Sequence, residues 1–319
     1  RLSLVGSEMC IRDSSISELF MNRFMDKNDL YPVLEYVKAD NSLDLEMRGN
    51  YVSIYYRGGS VLRIFEDKGH YGSIDPRYMP GAQAPQFSLE NIHAYLTEAK
   101  HIVDIYTTNV KNHLGEKDIQ QMIIKENNYS CNSFDTDYFI IDSEYQYGDK
   151  RFDLVALEWE STPAAHKLAK TAIPRLFIIE VKQGYKSIRS TQSVKDDKTT
   201  ESPGLKIHQD DFRDFVSDCD RVQNFQNDML NLFRQKRILG LIPGFKLGDN
   251  ADKYKDVTQI QPKVEFACVL ANYKTQSTQL RLELQEMEDC LFFNSSFMGY
   301  GLYKSGLMNK AALEKELCR

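Results

Sequence analysis

The chain has 319 residues, of which 42% are hydrophobic, 11% aromatic and 27% charged, enough apolar mass for one large domain or two modest ones. A formal net charge of −6 argues against a general nucleic-acid coat protein, so any affinity for nucleic acid must be local. Neither an apolar run long enough to span a bilayer nor a secretory h-region stands in the sequence, so no membrane association is expected.

The run Val5-Gly6-Ser7-Glu8-Met9-Cys10-Ile11-Arg12-Asp13-Ser14 resembles the translation of a sequencing adapter, and residues 1–14 are set apart from the fold on that ground. The cysteines beyond it, Cys131, Cys219, Cys268, Cys290 and Cys318, are odd in number and widely spaced. That pattern argues against zinc knuckles, iron–sulfur clusters and a disulfide framework, and it fits a reducing cytoplasm.

Residues 15–110 read as a small β-rich unit with a connecting helix. Tyr51-Val52-Ser53-Ile54-Tyr55-Tyr56 and Val61-Leu62-Arg63-Ile64 flank Arg57-Gly58-Gly59-Ser60, a hairpin whose glycines suit the positive φ of a primed turn. More strand-like, tyrosine-rich sequence continues to about Tyr78. The stripe Ile92, Leu96, Ala99, Val103, Tyr106 then predicts an amphipathic helix from Leu89 to Tyr106.

Residues 111–319 form the second unit. A helix is expected from Glu116 to Asn127-Asn128, then a strand at Tyr138–Ile141. Two further strands follow, Arg151-Phe152-Asp153-Leu154-Val155-Ala156-Leu157 and Leu176-Phe177-Ile178-Ile179-Glu180-Val181-Lys182. Gln183 to Pro203 is polar and reads as a mobile loop holding Lys186 and Arg189, cations that could close on a phosphate backbone. One long helix is expected from Leu205 to Lys236, with His208, Phe212, Phe215, Val222, Phe225, Met229 and Leu232 on its apolar stripe. A strand at Val264–Leu270, a helix at Thr278–Glu288, a strand near Leu291–Tyr303 and a helix at Met308–Leu317 complete the chain.

Charged residues inside buried strands carry the functional signal. A carboxylate or ammonium there costs several kcal/mol unless it is paired or bound to a metal. Strand periodicity sends Glu180 and Lys182 to one face with Ile178, and Asp153 to a face with Val155 and Leu157. If the two strands are neighbours, the three groups converge, as a hard-cation site requires. Asp153, Glu180 and the Val181 carbonyl could hold Mg²⁺ or Mn²⁺, because such an ion accepts a sparse protein set completed by water and substrate oxygens. Lys182 would orient the water or neutralise developing charge. The competing reading makes Glu180 and Lys182 an ordinary ion pair at a strand end.

The order helix, three strands, helix, strand around Asp153 and Glu180-Val181-Lys182 resembles the PD-(D/E)xK nuclease superfamily, and its lead-in helix looks closest to the NucS-type endonucleases. The resemblance covers residues 113 to 273, about half the chain. Phe152 stands where the superfamily's name pattern has proline. The resemblance implies an α/β, restriction-endonuclease-like mixed sheet flanked by helices and a divalent-metal-dependent nuclease acting on DNA or RNA, with DNA the first candidate. It also implies a metal-site role for Glu116 through a water, and a substrate-side role for His208 or Gln209 at the start of the long helix. A homodimer, or a place in a defence or repair complex, follows only from the analogy of fold. The alternative function is a catalytically weak nucleic-acid-binding module of the same fold within a larger complex.

Overall fold

The computed structural model describes residues 14–67, 69–79, 83, 85–108, 115–130, 135–159, 173–184, 188–195, 198–242, 257, 259–274, 276–296 and 298–318. Two short helices, α1 (Glu18–Asn22) and α2 (Tyr31–Ala39), precede the first sheet. That sheet has four strands in sequential order, β1 (Leu43–Met47), β2 (Tyr51–Tyr56), β3 (Gly59–Phe65) and β4 (Tyr71–Gly72). The β2–β3 connection is the expected tight hairpin, with Arg57 at φ 50° and Gly58 at φ 71°, both in the left-handed region that a primed turn demands. The strand-like stretch expected to run on to Tyr78 shrinks to the two-residue β4 and a single 3₁₀ turn at Pro76–Tyr78. Proline at the start of that turn lacks the N–H a ladder needs, and Asp75 accepts from the Arg77 N–H to close it. Helix α3 (Ile92–Tyr106) then buries Tyr95, Leu96, Ala99 and Val103.

The second sheet is built by helix α4 (Glu116–Asn128), then β5 (Tyr138–Tyr147), β6 (Lys150–Glu158) and β7 (Leu176–Gln183). Next come a separate two-stranded ribbon of β8 (Thr191–Lys195) and β9 (Lys198–Ser202), and helices α5 (Leu205–Val216) and α6 (Cys219–Ile238). Strand β10 (Val264–Ala271), helix α7 (Thr278–Glu286), strands β11 (Leu291–Ser295) and β12 (Leu307–Asn309) and helix α8 (Lys310–Leu317) end the chain. The large sheet is mixed, in the order β12-β11-β10-β7-β6-β5. Strands β5, β6 and β7 form an antiparallel meander, whereas β10 runs parallel to both β7 and β11. Central strands β7 and β10 are buried on both faces, which is why their sequences are near-continuous apolar runs rather than alternating ones.

The sheet is covered on both faces. Ile119, Ile123 and Ile124 of α4 pack on Ile140, Leu154, Phe177, Ile179 and Val181. The opposite face, with Val155, Ile178 and Cys268, meets Phe212, Phe215, Phe225 and Met229 of α5 and α6, and its core continues into the N-terminal sheet. Helix α4 also seats against that sheet. The Gln121 amide donates to the carbonyls of Ser42 and Tyr55 at 3.2 and 3.1 Å, and its oxygen accepts from the Gly58 N–H. A Cβ at Gly58 would lie 2.5 Å from the Lys117 Cβ, so only glycine lets the hairpin tip approach the first turn of α4.

Three further expectations change. The polar segment after β7 is not simply a loop: Thr191–Lys195 and Lys198–Ser202 pair antiparallel along their whole length. Low apolar content does not prevent a ribbon, because ladder hydrogen bonds satisfy the backbone and threonine favours the extended chain. The long helix is two helices. Asp218 adopts an extended conformation between them, and its carboxylate accepts from the N–H groups of Asp220 and Arg221, starting α6 afresh. Ser14, grouped with the adapter-like run, belongs to the fold: it is buried, its N–H donates to Asp228 at 2.7 Å and its hydroxyl donates to Asp142 at 2.8 Å. No helix among the described residues is long and apolar enough to cross a membrane.

Candidate active site

Strands β6 and β7 pair through Leu154↔Ile179 and then part. At the fork Asp153 substitutes for the missing ladder partner, its Oδ2 accepting from the Val181 N–H at 2.8 Å. The N–H and C=O of one strand residue face the same neighbouring strand. The Val181 carbonyl, expected as a metal ligand, therefore lies along the same edge as Asp153. Asp153, Glu180 and Lys182 share one face of the sheet, as alternation requires.

Four side chains meet there. Lys182 Nζ donates to Glu180 Oε1 at 2.7 Å and stands 3.7 Å from Glu116 Oε1. His208 Nε2 lies 3.0 Å from the same Glu180 oxygen and 3.2 Å from Lys182 Nζ. Glu116 arrives from the first residue of α4, where a carboxylate also suits the positive end of the helix dipole. His208 comes from the first turn of α5, whose start is fixed by the buried Glu283 accepting from the Lys206 N–H at 2.8 Å. Gly204 permits this seating, because a Cβ there would lie 2.5 Å from the Ser190 nitrogen and 2.7 Å from Glu283 Oε1.

The electrostatics are unbalanced toward negative charge. Burial, helped by Glu144 and Glu116, raises the Asp153 carboxyl to about 6 against the opposing pull of Lys182 and the Val181 N–H. Burial and the Asp153 charge push Glu180 well above the usual carboxylate range. Lys182 resists desolvation because Glu180, Glu116 and Asp153 surround it, and its ammonium is held above its ordinary value. Burial and the Lys182 and Arg151 charges lower His208 to about 3, so its imidazole is neutral. If the neutral ring donates from Nε2 to Glu180, the buried Nδ1, which has no hydrogen-bond partner, is left as a bare acceptor.

A divalent cation suits this donor set. Clustered carboxylates with raised pKa values repel one another, and Glu116 Oε1 is buried without a hydrogen-bond partner. The protein donors are sparse, however: among the described residues no three His, Cys, Asp or Glu side chains converge closely enough to hold a metal ion by themselves. Two carboxylates and a carbonyl would leave most of the coordination shell to water and substrate, as Mg²⁺ tolerates.

The structure separates the expected substrate-side residues. His208 joins the cluster. Gln209, one residue on, does not: its amide is committed at both ends to the Glu288 backbone, donating to the carbonyl at 3.1 Å and accepting from the N–H at 2.9 Å. Arg189 reaches α7 instead of facing an open groove, pairing with Glu286 at 2.6 Å and Glu283 at 3.4 Å. Lys186 lies outside the described residues.

One acidic residue escaped the sequence reading. Glu144 stands across from Asp153 on β5, since Ser143↔Leu154 and Tyr145↔Phe152 flank it. It has φ 57°, rare for a non-glycine strand residue, its Oε2 pairs with Lys117 at 3.2 Å and Arg151 at 2.9 Å, and its buried Oε1 has no hydrogen-bond partner. The signal was the two-residue loop Gly148-Asp149: counting back from Tyr147↔Lys150 places Glu144 opposite Asp153. Compared with protein-family models, curated proteins and solved structures, the chain matches none of them.

Proposed function

We propose that the chain is a divalent-metal-dependent nuclease of the PD-(D/E)xK type, hydrolysing phosphodiester bonds of DNA or RNA. One observation carries the reading: two buried carboxylates, from β6 and β7, and a half-buried one from α4 surround a single buried ammonium where the two strands part. The order α4, β5–β6–β7, α5, β10, with β10 parallel to β7, agrees with the restriction-endonuclease-like arrangement that the sequence resembles.

Asp153, Glu180 and the Val181 carbonyl would hold Mg²⁺ or Mn²⁺, which when bound neutralises phosphate charge and acidifies a water. Lys182 stays protonated at neutral pH, so it acts as a donor that orients the water or stabilises negative charge on the phosphate, and not as a general base. Glu180 fixes that ammonium at 2.7 Å, and His208 holds the Glu180 carboxylate from α5. Glu116, 3.7 Å from Lys182, would accept the proton that this water gives up as it attacks.

Labelled single- and double-stranded DNA and RNA, incubated with Mg²⁺ or Mn²⁺ and with EDTA, test this. Wild-type protein should cut at least one of the four substrates in metal, with no cutting in EDTA and none by Lys182→Ala. Cutting by Lys182→Ala at the wild-type rate would remove the assignment.

A further inference from the structure

A second concave site lies beside the cluster. It is a cleft of about 250 Å³ between the N-terminal sheet and the β5–β6 hairpin, lined among others by Arg63, Arg77, Lys117 and Arg151 and by Tyr51 and Tyr55. On its floor Arg48 and Asp142 satisfy each other at 2.6 Å, leaving the rim to set the character of the cleft. Five cations line it against three carboxylates, Asp75, Asp142 and Glu144, in a chain that is acidic overall. Arg63 is exposed, carries no ion pair among the described residues, and spans the Tyr51 ring at 5.9 Å. Arg77 pairs with Asp75 at 2.6 Å but leaves 70% of its side chain in solvent.

The cleft adjoins the candidate active site through residues that neighbour the cluster. Glu144 lines it and also raises the pKa of Asp153; Lys117 follows Glu116 on α4; Arg151 lines it and bears on His208. We infer that the cleft takes a single strand of nucleic acid leading to the cluster, with Arg63, Arg77, Lys117 and Arg151 on the phosphates and Tyr51 and Tyr55 toward the bases. This rests on the nuclease reading for its direction, but its binding chemistry stands apart from it. Cations hold a phosphate backbone without reading sequence, and tyrosine faces stack on any base. The volume falls below the roughly 300–1,000 Å³ that encloses a whole small ligand, and suits one unit of a strand passing through. Glu144 occupies Lys117 and Arg151 in the free protein, as an internal stand-in for a phosphate.

The test is binding without cleavage. A fluorescent single-stranded oligonucleotide is titrated in EDTA against wild type, Arg63→Ala/Arg77→Ala and Tyr51→Leu, at several salt concentrations, with a blunt duplex alongside. Both arginines are exposed, so their removal should leave the melting temperature unchanged. The expected result is tighter binding of the single strand than the duplex. The double variant should lose about tenfold in affinity, with the logarithmic salt slope shallower by about 1–1.5. Tyr51→Leu should weaken binding with no change of slope. Inorganic phosphate or a mononucleotide competing as well as the strand would mean a small-anion site and overturn the inference. So would equal competition by polyglutamate, which would point to an acidic protein, or identical affinity and slope in the double variant. Arginine-dependent binding by a protein that never cuts would sink the nuclease reading and leave the cleft standing. Cutting with arginine-independent binding would do the reverse.

Discussion

Two groups of buried charge sit in this molecule, and they are built to opposite rules. Glu46 and Lys236 are each 1% exposed and pair at 3.0 Å between β1 and α6, joined by Arg48, which donates to Asp142 at 2.6 Å and to the Met47 carbonyl. Each cation there has a matched acid, and the network locks the N-terminal sheet to the large one. At the β6–β7 fork a single ammonium faces Glu180, Glu116 and Asp153, and buried atoms without a hydrogen bond remain on Glu116, Glu144 and His208. Beside the first network one buried acceptor, Asp44 Oδ2, lacks a hydrogen bond, whereas the second leaves such atoms on three side chains around one cation, the pattern expected of a site that awaits a partner from outside the chain.

The contrast can be broken most forcefully at Lys236. Lys236→Ala strands a buried Glu46 carboxylate and should lower stability by about 3–5 kcal/mol. Pairing it with Glu46→Gln should recover much of that loss. Urea denaturation reads both, and a loss below about 1 kcal/mol would show that the pair is not structural.

Asp153→Asn should behave in the opposite way. Asn retains an acceptor for the Val181 N–H but removes one negative charge from the cluster. Because the folded-state pKa is raised from 3.8 to about 6, the folded protein holds this proton more tightly than the unfolded chain. In the metal-free protein the contribution of Asp153 to stability is therefore greatest below pH 3.8 and is lost as pH rises through 6. At pH 7 the substitution should stabilise by up to about 3 kcal/mol, and the gain should vanish near pH 4. A large fall in melting temperature at pH 7 would instead make Asp153 a structural ion-pair member.

The smallest effect separates neighbours on α5. Gln209→Ala removes two hydrogen bonds to the Glu288 backbone and should cost about 1–2 kcal/mol without altering oligonucleotide affinity. Weaker binding at unchanged stability would return Gln209 to the substrate side.

How far the sequence could be read follows the same division. The runs at 152–157 and 176–182 are buried on both faces, so charges inside them stood out, and period two was enough to place Asp153, Glu180 and Lys182 on one face. Glu116 was harder, since a helix start favours a carboxylate for local reasons, and so was His208, since a histidine on an apolar stripe with Phe212 and Phe215 also reads as a satisfied core residue. Their arrival depends on the Gly58 and Gly204 contacts between distant segments. Gln209 and Arg189 looked available because their partners, Glu288, Glu283 and Glu286, lie more than 75 positions away. The β8–β9 ribbon carries almost no hydrophobic pattern, and composition alone could not distinguish it from a loop.

The most direct measurement is the rate at which one labelled strand is cut in Mn²⁺ by wild type and by Glu180→Gln, with melting temperature recorded on the same samples. Glu180 is the hub that Lys182 and His208 share, at 2.7 and 3.0 Å. A nuclease centre predicts a loss of at least about 100-fold in a variant that melts no lower than wild type. Cutting within about twofold of wild type, or a rate that falls only because the variant unfolds, would contradict it.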